Sequence, residues 1–173
     1  MPRNYFTSKF NVMYGAETGG AMFGTMGDDL MIGRGGNDFM LGGFGNDFMY
    51  GGDGNDYMHG GDGDDVVIGG PGNDLLFGGN GNDRLVISDG DVASGGAGAD
   101  MFQFDTRKGG TVQISDFDAA EGDMLMLRTR SDDDWKLEEN ANHTSIHFES
   151  GAVVELYGVS IEQIQDDPGL FGL

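Results

Sequence analysis

The chain has 173 residues, which is enough for one domain or at most two, with a modest hydrophobic core. Its 30 aspartates and glutamates outnumber its 9 lysines and arginines, so the formal net charge is −21. This charge argues against proteins that bind nucleic acids or anionic membranes by electrostatic attraction. The sequence contains no cysteine, which excludes disulfide bonds and thiolate metal sites.

The N-terminal segment, MPRNYFTSKFNVMYG, lacks the apolar run of a secretory signal peptide. No segment reaches the roughly 18 consecutive apolar residues of a transmembrane helix. If the protein is exported, we expect a signal at the other end or a partner to direct it. We divide the chain into an N-terminal segment (1–23) that ends in a degenerate repeat, a repeat region (24–103) and a C-terminal region (104–173).

The repeat region has a period of nine residues. From Gly24 to Val86 the copies read GTMGDDLMI, GRGGNDFML, GGFGNDFMY, GGDGNDYMH, GGDGDDVVI, GGPGNDLLF and GGNGNDRLV. A shortened copy, ISDGDVAS, and a full copy, GGAGADMFQ, follow up to Gln103. A fixed period of this length predicts a solenoid, in which each copy packs only against its neighbours.

Each copy divides into a six-residue turn and a three-residue strand. Glycines at positions one, two and four permit the positive φ angles and close backbone contacts of a tight turn. The middle residue of the strand is always apolar, and alternate strand residues share a face, so these side chains are predicted to fill one interior. They are Met31, Met40, Met49, Met58, Val67, Leu76, Leu85 and Phe102.

The sixth position of each copy is aspartate. If two copies form one coil, copy n stacks on copy n+2 at about 4.8 Å, and the aspartates form two ladders. Each like-charged neighbour in a ladder costs about 3 kcal/mol before screening, so the ladders require cations. We predict as ligands Asp29, Asp47, Asp65, Asp83 and Asp100 in one ladder and Asp38, Asp56, Asp74 and Asp91 in the other, with Asp91 giving a partial site.

Carboxylates combined with backbone carbonyls, without thiol or imidazole, form a hard-oxygen site of the kind that calcium prefers over magnesium. Counting facing copies predicts about six or more Ca²⁺ ions. The predicted carbonyl ligands belong to the turn glycines Gly33, Gly35, Gly42, Gly43, Gly45, Gly51, Gly52, Gly54, Gly60, Gly61, Gly63, Gly69, Gly70, Gly72, Gly78, Gly79 and Gly81.

The nonapeptide resembles the motif GGxGxDxUx of the repeats-in-toxin (RTX) family. The resemblance implies an all-β fold, a right-handed parallel β-roll (β-solenoid) closed by a small antiparallel β cap, with calcium between turns n and n+2. It also implies an extracellular or cell-surface location reached by type I secretion with an uncleaved C-terminal signal. The segment after Met101 is similar to those that close the rolls of serralysin-type proteases and alginate C5-epimerase R-modules.

Beyond the repeats the sequence predicts an antiparallel cap and a short helix. The runs MFQF, TVQIS, DMLML, SIHF and AVVELY alternate like strands. Ser160 and Gln163 form a capping pair before a helix near the C-terminus. The loop aspartates Asp116, Asp118 and Asp123 are read either as one more calcium site or as a solvated loop.

No other motif outweighs the repeat. His143 and His147 have the spacing of a helical zinc pair, but HTSIHF alternates like a strand, which would separate them by about 13 Å. HExxH, GxSxG and EF-hand ligand patterns are absent from the sequence, so we predict a chain without a catalytic centre. The cations Arg84, Arg107, Lys108, Arg128, Arg130 and Lys136 are too scattered in sequence to indicate a basic groove.

Two classes of function remain. Outward strand residues such as Phe39, Tyr57 and Leu75 on one sheet and Phe48 and Val66 on the other favour a structural, adhesion or self-association module. The alternative is a carbohydrate-binding module similar to the alginate epimerase R-modules. A non-catalytic secretion module of an enzyme is a third interpretation. In each case calcium is the predicted partner, together with a glycan, a protein or a second copy outside the cell.

Overall fold

The fold was examined in a computed structural model, which describes residues 10–129 and 134–166. Nearly all of the regular structure in these residues is β-strand. The strands are β1 (Asn11–Tyr14), β2 (Ala21–Phe23), β3 (Asp29–Gly35), β4 (Phe39–Phe44), β5 (Phe48–Asp53), β6 (Tyr57–Asp62), β7 (Val66–Ile68), β8 (Leu75–Asn80), β9 (Arg84–Ile87), β10 (Val92–Ala97), β11 (Met101–Phe104), β12 (Gly110–Ile114), β13 (Met124–Leu127), β14 (Trp135–Glu139), β15 (His143–Phe148) and β16 (Ala152–Tyr157).

Successive copies alternate between two sheets, as the nine-residue period predicts. The first sheet has the order β1-β3-β5-β7-β9-β11-β13, and the second has the order β14-β15-β16-β12-β10-β8-β6-β4-β2. Within the repeats every pairing is parallel and joins copy n to copy n+2, for example Met49 to Val67. The predicted β-solenoid closed by antiparallel strands is therefore confirmed.

The core is the column of apolar side chains at the middle of each strand. All eight predicted members are fully buried, and Phe102 is the largest of them. The column continues past the repeats into Val112, Ile114 and Leu125. Because one inward residue per strand fills the space between two sheets, each copy depends on its stacked neighbours for its core.

The strands are longer than the three residues predicted. In most copies the parallel pairing runs on into the turn, as where Arg34 pairs with Gly52 and Gly35 with Asp53. The turns are stacked in the same register as the strands, and the backbone N–H of Gly63 donates to the carbonyl of Asn80 at 2.8 Å. Turn and strand are therefore one continuous parallel ladder.

The antiparallel cap is smaller than predicted. The runs MFQF (β11), TVQIS (β12) and DMLML (β13) were expected to be antiparallel, but they pair in parallel and extend the two sheets. Antiparallel pairing is confined to β14, β15 and β16, and β16 itself pairs in parallel with β12. The longer turns before β12 and β13 hide the period in the sequence, although the inward apolar residue is kept.

A short helix, α1 (Ile161–Asp166), follows the cap, as predicted. The Ser160 hydroxyl accepts from the Gln163 N–H at 3.3 Å, and the Gln163 side chain accepts from the Ser160 N–H at 2.9 Å, which is a capping box. No helix within the described ranges is long and apolar enough to cross a membrane. The predicted C-terminal secretion signal lies largely in residues 167–173, outside the described residues.

Candidate metal centre

The sixth-position aspartates form two buried ladders, one on each sheet. In each ladder the backbone N–H of one aspartate donates to Oδ1 of the aspartate two copies later, at 2.7–2.9 Å. The first ladder contains Asp29, Asp47, Asp65, Asp83 and Asp100, and the second contains Asp38, Asp56, Asp74 and Asp91. All nine carboxylates are at most 3% exposed.

The second carboxylate oxygen has no partner at most rungs of the ladders. In six aspartates Oδ2 is buried and accepts no hydrogen bond from any described residue: Asp47, Asp56, Asp65, Asp74, Asp83 and Asp100. At Asp38 both oxygens are in this condition. A buried polar atom without a partner costs about 1–3 kcal/mol, and more when it is charged. A repeated cost of this kind fits a cation that binds these oxygens.

The first-position glycines show that a carboxylate and a carbonyl oxygen converge at the same point. A methyl group added at Gly60 would overlap both Asp65 Oδ2 and the carbonyl oxygen of Gly78, two copies later. The same arrangement recurs at Gly33, Gly42, Gly51 and Gly78. Carboxylate and backbone carbonyl oxygens are the donors that calcium takes in flexible six- to eight-fold coordination. The residues present therefore fit calcium, which would supply the positive charge that the ladders lack.

Side chains alone do not complete such a site. Among the described residues no three carboxylates or imidazoles gather at one point. Backbone carbonyls must therefore contribute, as the sequence predicts. Of the predicted carbonyls, that of Gly35 accepts from the Gly19 N–H at 2.8 Å and that of Gly69 accepts from the Gly52 N–H at 3.0 Å. A carbonyl has two lone pairs, so both retain capacity for a cation, and the full ligand set stays a prediction.

At one end of each ladder, Asp29 in the first and Asp91 in the second, Oδ2 accepts hydrogen bonds from the protein instead. Asp29 Oδ2 accepts from the Thr25 N–H at 2.5 Å and from its hydroxyl at 3.1 Å. Asp91 Oδ2 accepts from the Ser88 N–H at 2.6 Å and from its hydroxyl at 3.2 Å. Thr25 and Ser88 both replace the second-position glycine. In these two copies the protein itself satisfies the oxygen that the inner copies leave unpaired.

Asp123 extends the first ladder by one rung, which the sequence analysis did not recognise. Its Oδ1 accepts from the Asp100 N–H at 2.9 Å, and its Oδ2 accepts from the Asp118 N–H at 2.8 Å. The signal was available, because Asp123-Met-Leu-Met repeats the sixth to ninth positions of a copy. Asp116 is not a rung of this ladder. Its carboxylate accepts from the backbone N–H groups of Gly95 and Gly96 at 3.0 Å.

The fifth-position side chains form ladders of their own, which the sequence analysis did not predict. Here the side-chain oxygen accepts from the backbone N–H of the fifth-position residue two copies later. Asn46 Oδ1 accepts from the Asp64 N–H at 3.1 Å, and Asn55 Oδ1 accepts from the Asn73 N–H at 3.0 Å. All seven regular copies have Asn or Asp at this position, which was the available signal. These bonds hold the turns in register without using the sixth-position oxygens.

The two histidines of the cap lie on β15, as the alternation predicts, and are engaged separately. The His143 ring lies 5.0 Å from that of Tyr157, and His147 Nε2 lies 3.4 Å from Glu138 Oε2. Each imidazole therefore contacts a different neighbour, Tyr157 for His143 and Glu138 for His147.

Burial raises the pKa of the inner aspartates, and neighbouring carboxylates raise it further. The pKa of Asp65, Asp74 and Asp83 rises from the ordinary value of 3.8 to about 7, and that of Asp47 to about 6. Hydrogen bonds from the backbone oppose this rise without cancelling it. With a pKa of about 7, the carboxyls of Asp65, Asp74 and Asp83 are partly protonated near neutral pH in the calcium-free fold.

These shifts predict a pH dependence of opposite sign with and without calcium. Between about pH 4 and 7 the folded chain binds protons that the unfolded chain releases, so in calcium-free buffer the folded form gains stability as the pH falls. Protons and calcium compete, so the apparent calcium affinity falls over the same range. Far-UV circular dichroism at pH 8 and pH 5, with and without calcium, measures both. More β signal at pH 8 than at pH 5 without calcium would contradict the prediction.

The first-position glycine predicts a large steric effect at Gly60. Gly60→Ala is expected to lower the free energy of unfolding in saturating calcium by about 1–3 kcal/mol or more, because the methyl would displace Asp65 Oδ2. Gly60 does not have a positive φ angle, so backbone strain does not enter. Gly27→Ala is the matched control, since a methyl there meets no atom within 4 Å. Equal urea unfolding midpoints for the two variants would contradict the convergence of the Asp65 and Gly78 oxygens at Gly60.

The chain was compared with protein-family models, curated proteins and solved structures. The family model of the RTX calcium-binding nonapeptide repeat matches residues 23–58 and 50–85. None of the curated protein sequences matches the chain. Nine chains of solved structures do match.

Two of these structures illustrate the likeness. The extracellular lipase LipA from Serratia marcescens is 17% identical with a TM-score of 0.40, over 89% of this chain and 40% of the lipase chain. The AlgE6R3 subunit of the Azotobacter vinelandii mannuronan C5-epimerase is 19% identical with a TM-score of 0.31, over 97% of this chain and 87% of the subunit. The chain thus spans less than half the length of the lipase. From the repeat match and the period, this chain carries RTX calcium-binding nonapeptide repeats, which extend over residues 23–85.

Proposed function

We propose that this chain is an extracellular calcium-binding module that folds on binding several calcium ions and serves a structural, adhesion or self-association role without catalysis. The observation that carries the proposal is the row of six buried, unpartnered Oδ2 atoms at equivalent positions. Where free calcium is scarce, the ladders oppose folding. Where calcium is abundant, its binding free energy becomes folding free energy. This difference suits a chain that is exported unfolded and folds outside, as in type I secretion.

Calcium would also reduce the repulsion between two copies of the chain. Six ions would bring the formal net charge from −21 to about −9. Net charge of one sign keeps proteins apart, so calcium binding favours contact between surfaces that are otherwise held apart by repulsion. Folding and association would therefore respond to the same signal.

An aromatic stripe on the outer face of the second sheet supports an association role. It consists of Phe23, Phe39, Tyr57 and Phe77, which come from two adjacent outward columns: Phe39 pairs with Tyr57, whereas Phe23 pairs with Leu41 and Phe77 pairs with His59. Successive ring centroids lie 6.2, 5.0 and 5.3 Å apart. Phe23 is 61% exposed and Phe39 40% exposed. A row of exposed apolar side chains of this length is typical of an interaction surface.

The orientation of the rings favours a protein contact over a sugar. Phe39 and Tyr57 are within 10° of parallel at 5.0 Å, and coplanar rings at that distance would overlap, so their faces are turned toward each other along the solenoid. Phe39 and Tyr57, at the centre of the stripe, thus present ring edges outward, whereas a pyranose stacks on a ring face. The carbohydrate-binding alternative keeps its test, a glycan-binding screen in calcium, in which binding to an acidic glycan would favour it.

Self-association can be tested by sedimentation of the calcium-loaded chain. We expect a dimer or larger species at high protein concentration, and Phe39→Ser should shift it to the monomer because the stripe is interrupted at its centre. Phe48→Ser is the matched control, since Phe48 is 38% exposed but lies on the first sheet. A wild-type chain that stays monomeric in calcium at high concentration would contradict the self-association role while leaving calcium-dependent folding intact.

A further inference from the structure

A cavity of about 550 Å³ lies on the outer face of the first sheet, near the end of the repeats. One wall is formed by the outward residues Ile68, Val86 and Gln103 of β7, β9 and β11, which lie in register. The cavity is bounded by the turn at Ser88 and by the short 3₁₀ segment Thr106–Lys108. Its volume is within the range of pockets that hold small organic ligands, about 300–1,000 Å³.

The cavity collects positive charge that the sequence disperses. Lys108 and Arg128 both line it, twenty residues apart in the chain. Arg84 is also close, since its guanidinium donates to the Gln103 side chain. These cations are too scattered in the sequence to indicate a basic groove, so this grouping becomes visible only in the fold. In a chain with 30 acidic and 9 basic residues, such a grouping is unexpected.

The acidic groups of the lining balance these two cations only in part: Arg107 first, and Arg128 to a smaller degree, lower the pKa of Asp105. Asp105 is held by Arg107 through two hydrogen bonds of 2.7 and 2.6 Å, which keeps the pKa of that carboxyl at about 2. Asp89 also lines the cavity, and its Oδ1 accepts from the Thr111 N–H at 2.9 Å. Within residues 10–129 and 134–166, neither Lys108 nor Arg128 has an ion-pair partner within 4 Å.

We propose that this cavity binds the carboxylate of a small organic acid that has an apolar body. Lys108 and Arg128 would bind the carboxylate at the rim, and the guanidinium of Arg128 offers a planar fork that matches it. The apolar body would lie against Ile68 and Val86. This site borders the end of the second ladder, since Ser88 and the turn glycines Gly70 and Gly72 line it, and it is separate from the aromatic stripe, which lies on the other sheet.

The proposal is tested by NMR titration of the isotope-labelled, calcium-loaded full chain. Hexanoate and phenylacetate represent an aliphatic and an aromatic acid, and hexanol is the neutral control. We expect either acid, but not hexanol, to shift the backbone amide signals of Ser88, Gln103 and Gly109 with a saturable dependence. The acid that binds more tightly identifies the shape of the apolar body.

Variants then assign the charge contacts. Lys108→Gln and Arg128→Gln should each weaken binding of the better acid about tenfold, the effect of losing one charged hydrogen bond. Lys136→Gln removes an exposed cation from β14 and should leave the affinity unchanged. Retention of the calcium-induced circular dichroism signal shows that each variant folds. Absence of binding by both acids, equal binding by hexanol, or an equal loss in Lys136→Gln would overturn the proposal.

Discussion

Addition of calcium to the metal-free chain at neutral pH is expected to produce a cooperative gain of β-sheet signal in far-UV circular dichroism. The nine sixth-position carboxylates are at most 3% exposed, and eight of them keep at least one oxygen without a hydrogen-bond partner among the described residues. Adjacent charges along a ladder repel by about 3 kcal/mol before screening, a large amount beside a total stability of about 5–15 kcal/mol. Without a cation the folded chain must hold protons on these groups or leave them charged and unpaired.

Magnesium is the control for this titration. It requires a near-ideal octahedron and releases its water reluctantly, so the flexible set of carboxylate and carbonyl oxygens should not fold the chain at equal concentration. The predicted sites lie between stacked copies, so binding at one rung would position the next, and we expect a steep transition. A chain that is equally folded in excess chelator at pH 8 would show that the ladders are not metal sites.

The repeat region could be predicted in detail because one short period determines it. The inward column from Met31 to Phe102, the stacking of copy n on copy n+2 and the two aspartate ladders follow from position within nine residues. Each copy repeats the same local choice of turn, strand and core residue, so local pattern and global fold agree. Strand length was underestimated because the pattern gave no reason for the turns to pair as well.

Features that depend on the path of the chain between strands could not be predicted. β12 and β13 continue the parallel sheets, but their stacked residues are not 18 positions apart as in the repeats. Ala93 pairs with Ile114 and Phe102 with Leu125, so the period gave no register for these two strands. The fifth-position ladder and the rung at Asp123 had a signal in the sequence that was not used. The basic cavity had none, because Lys108 and Arg128 meet only through the fold.

Asp65→Asn is expected to change stability in opposite directions with and without calcium. Asp65 is the middle rung of the first ladder, and asparagine keeps an oxygen that can accept from the Asp47 N–H. In calcium the variant loses a charged ligand at the point where Gly78 and Asp65 oxygens converge. The calcium concentration at the midpoint of folding should therefore rise about tenfold or more.

Without calcium the same change removes a buried charge. Burial raises the pKa of Asp65 most, and repulsion from Asp83, Asp47 and Asp64 raises it further. The metal-free folded state should therefore be less unfavourable than in the wild type, with more residual β signal at pH 8. A carboxylate with a purely structural role would lower stability in both conditions when it is replaced, since its hydrogen bonds do not depend on calcium. The reversal of sign is thus specific to a cation ligand.

Asp53→Asn is the matched control, because it removes the same charge from an exposed third-position side chain of the preceding copy, in a strand of the same sheet. We expect it to leave the calcium midpoint nearly unchanged, since an exposed charge contributes little. Calcium titrations of the wild type and the two variants give the folding midpoints. Urea unfolding in excess calcium and in chelator gives the direction of the stability change in each condition. If Asp65→Asn and Asp53→Asn shift the midpoint equally, net charge and not coordination governs folding, and the ladders lose their assigned role.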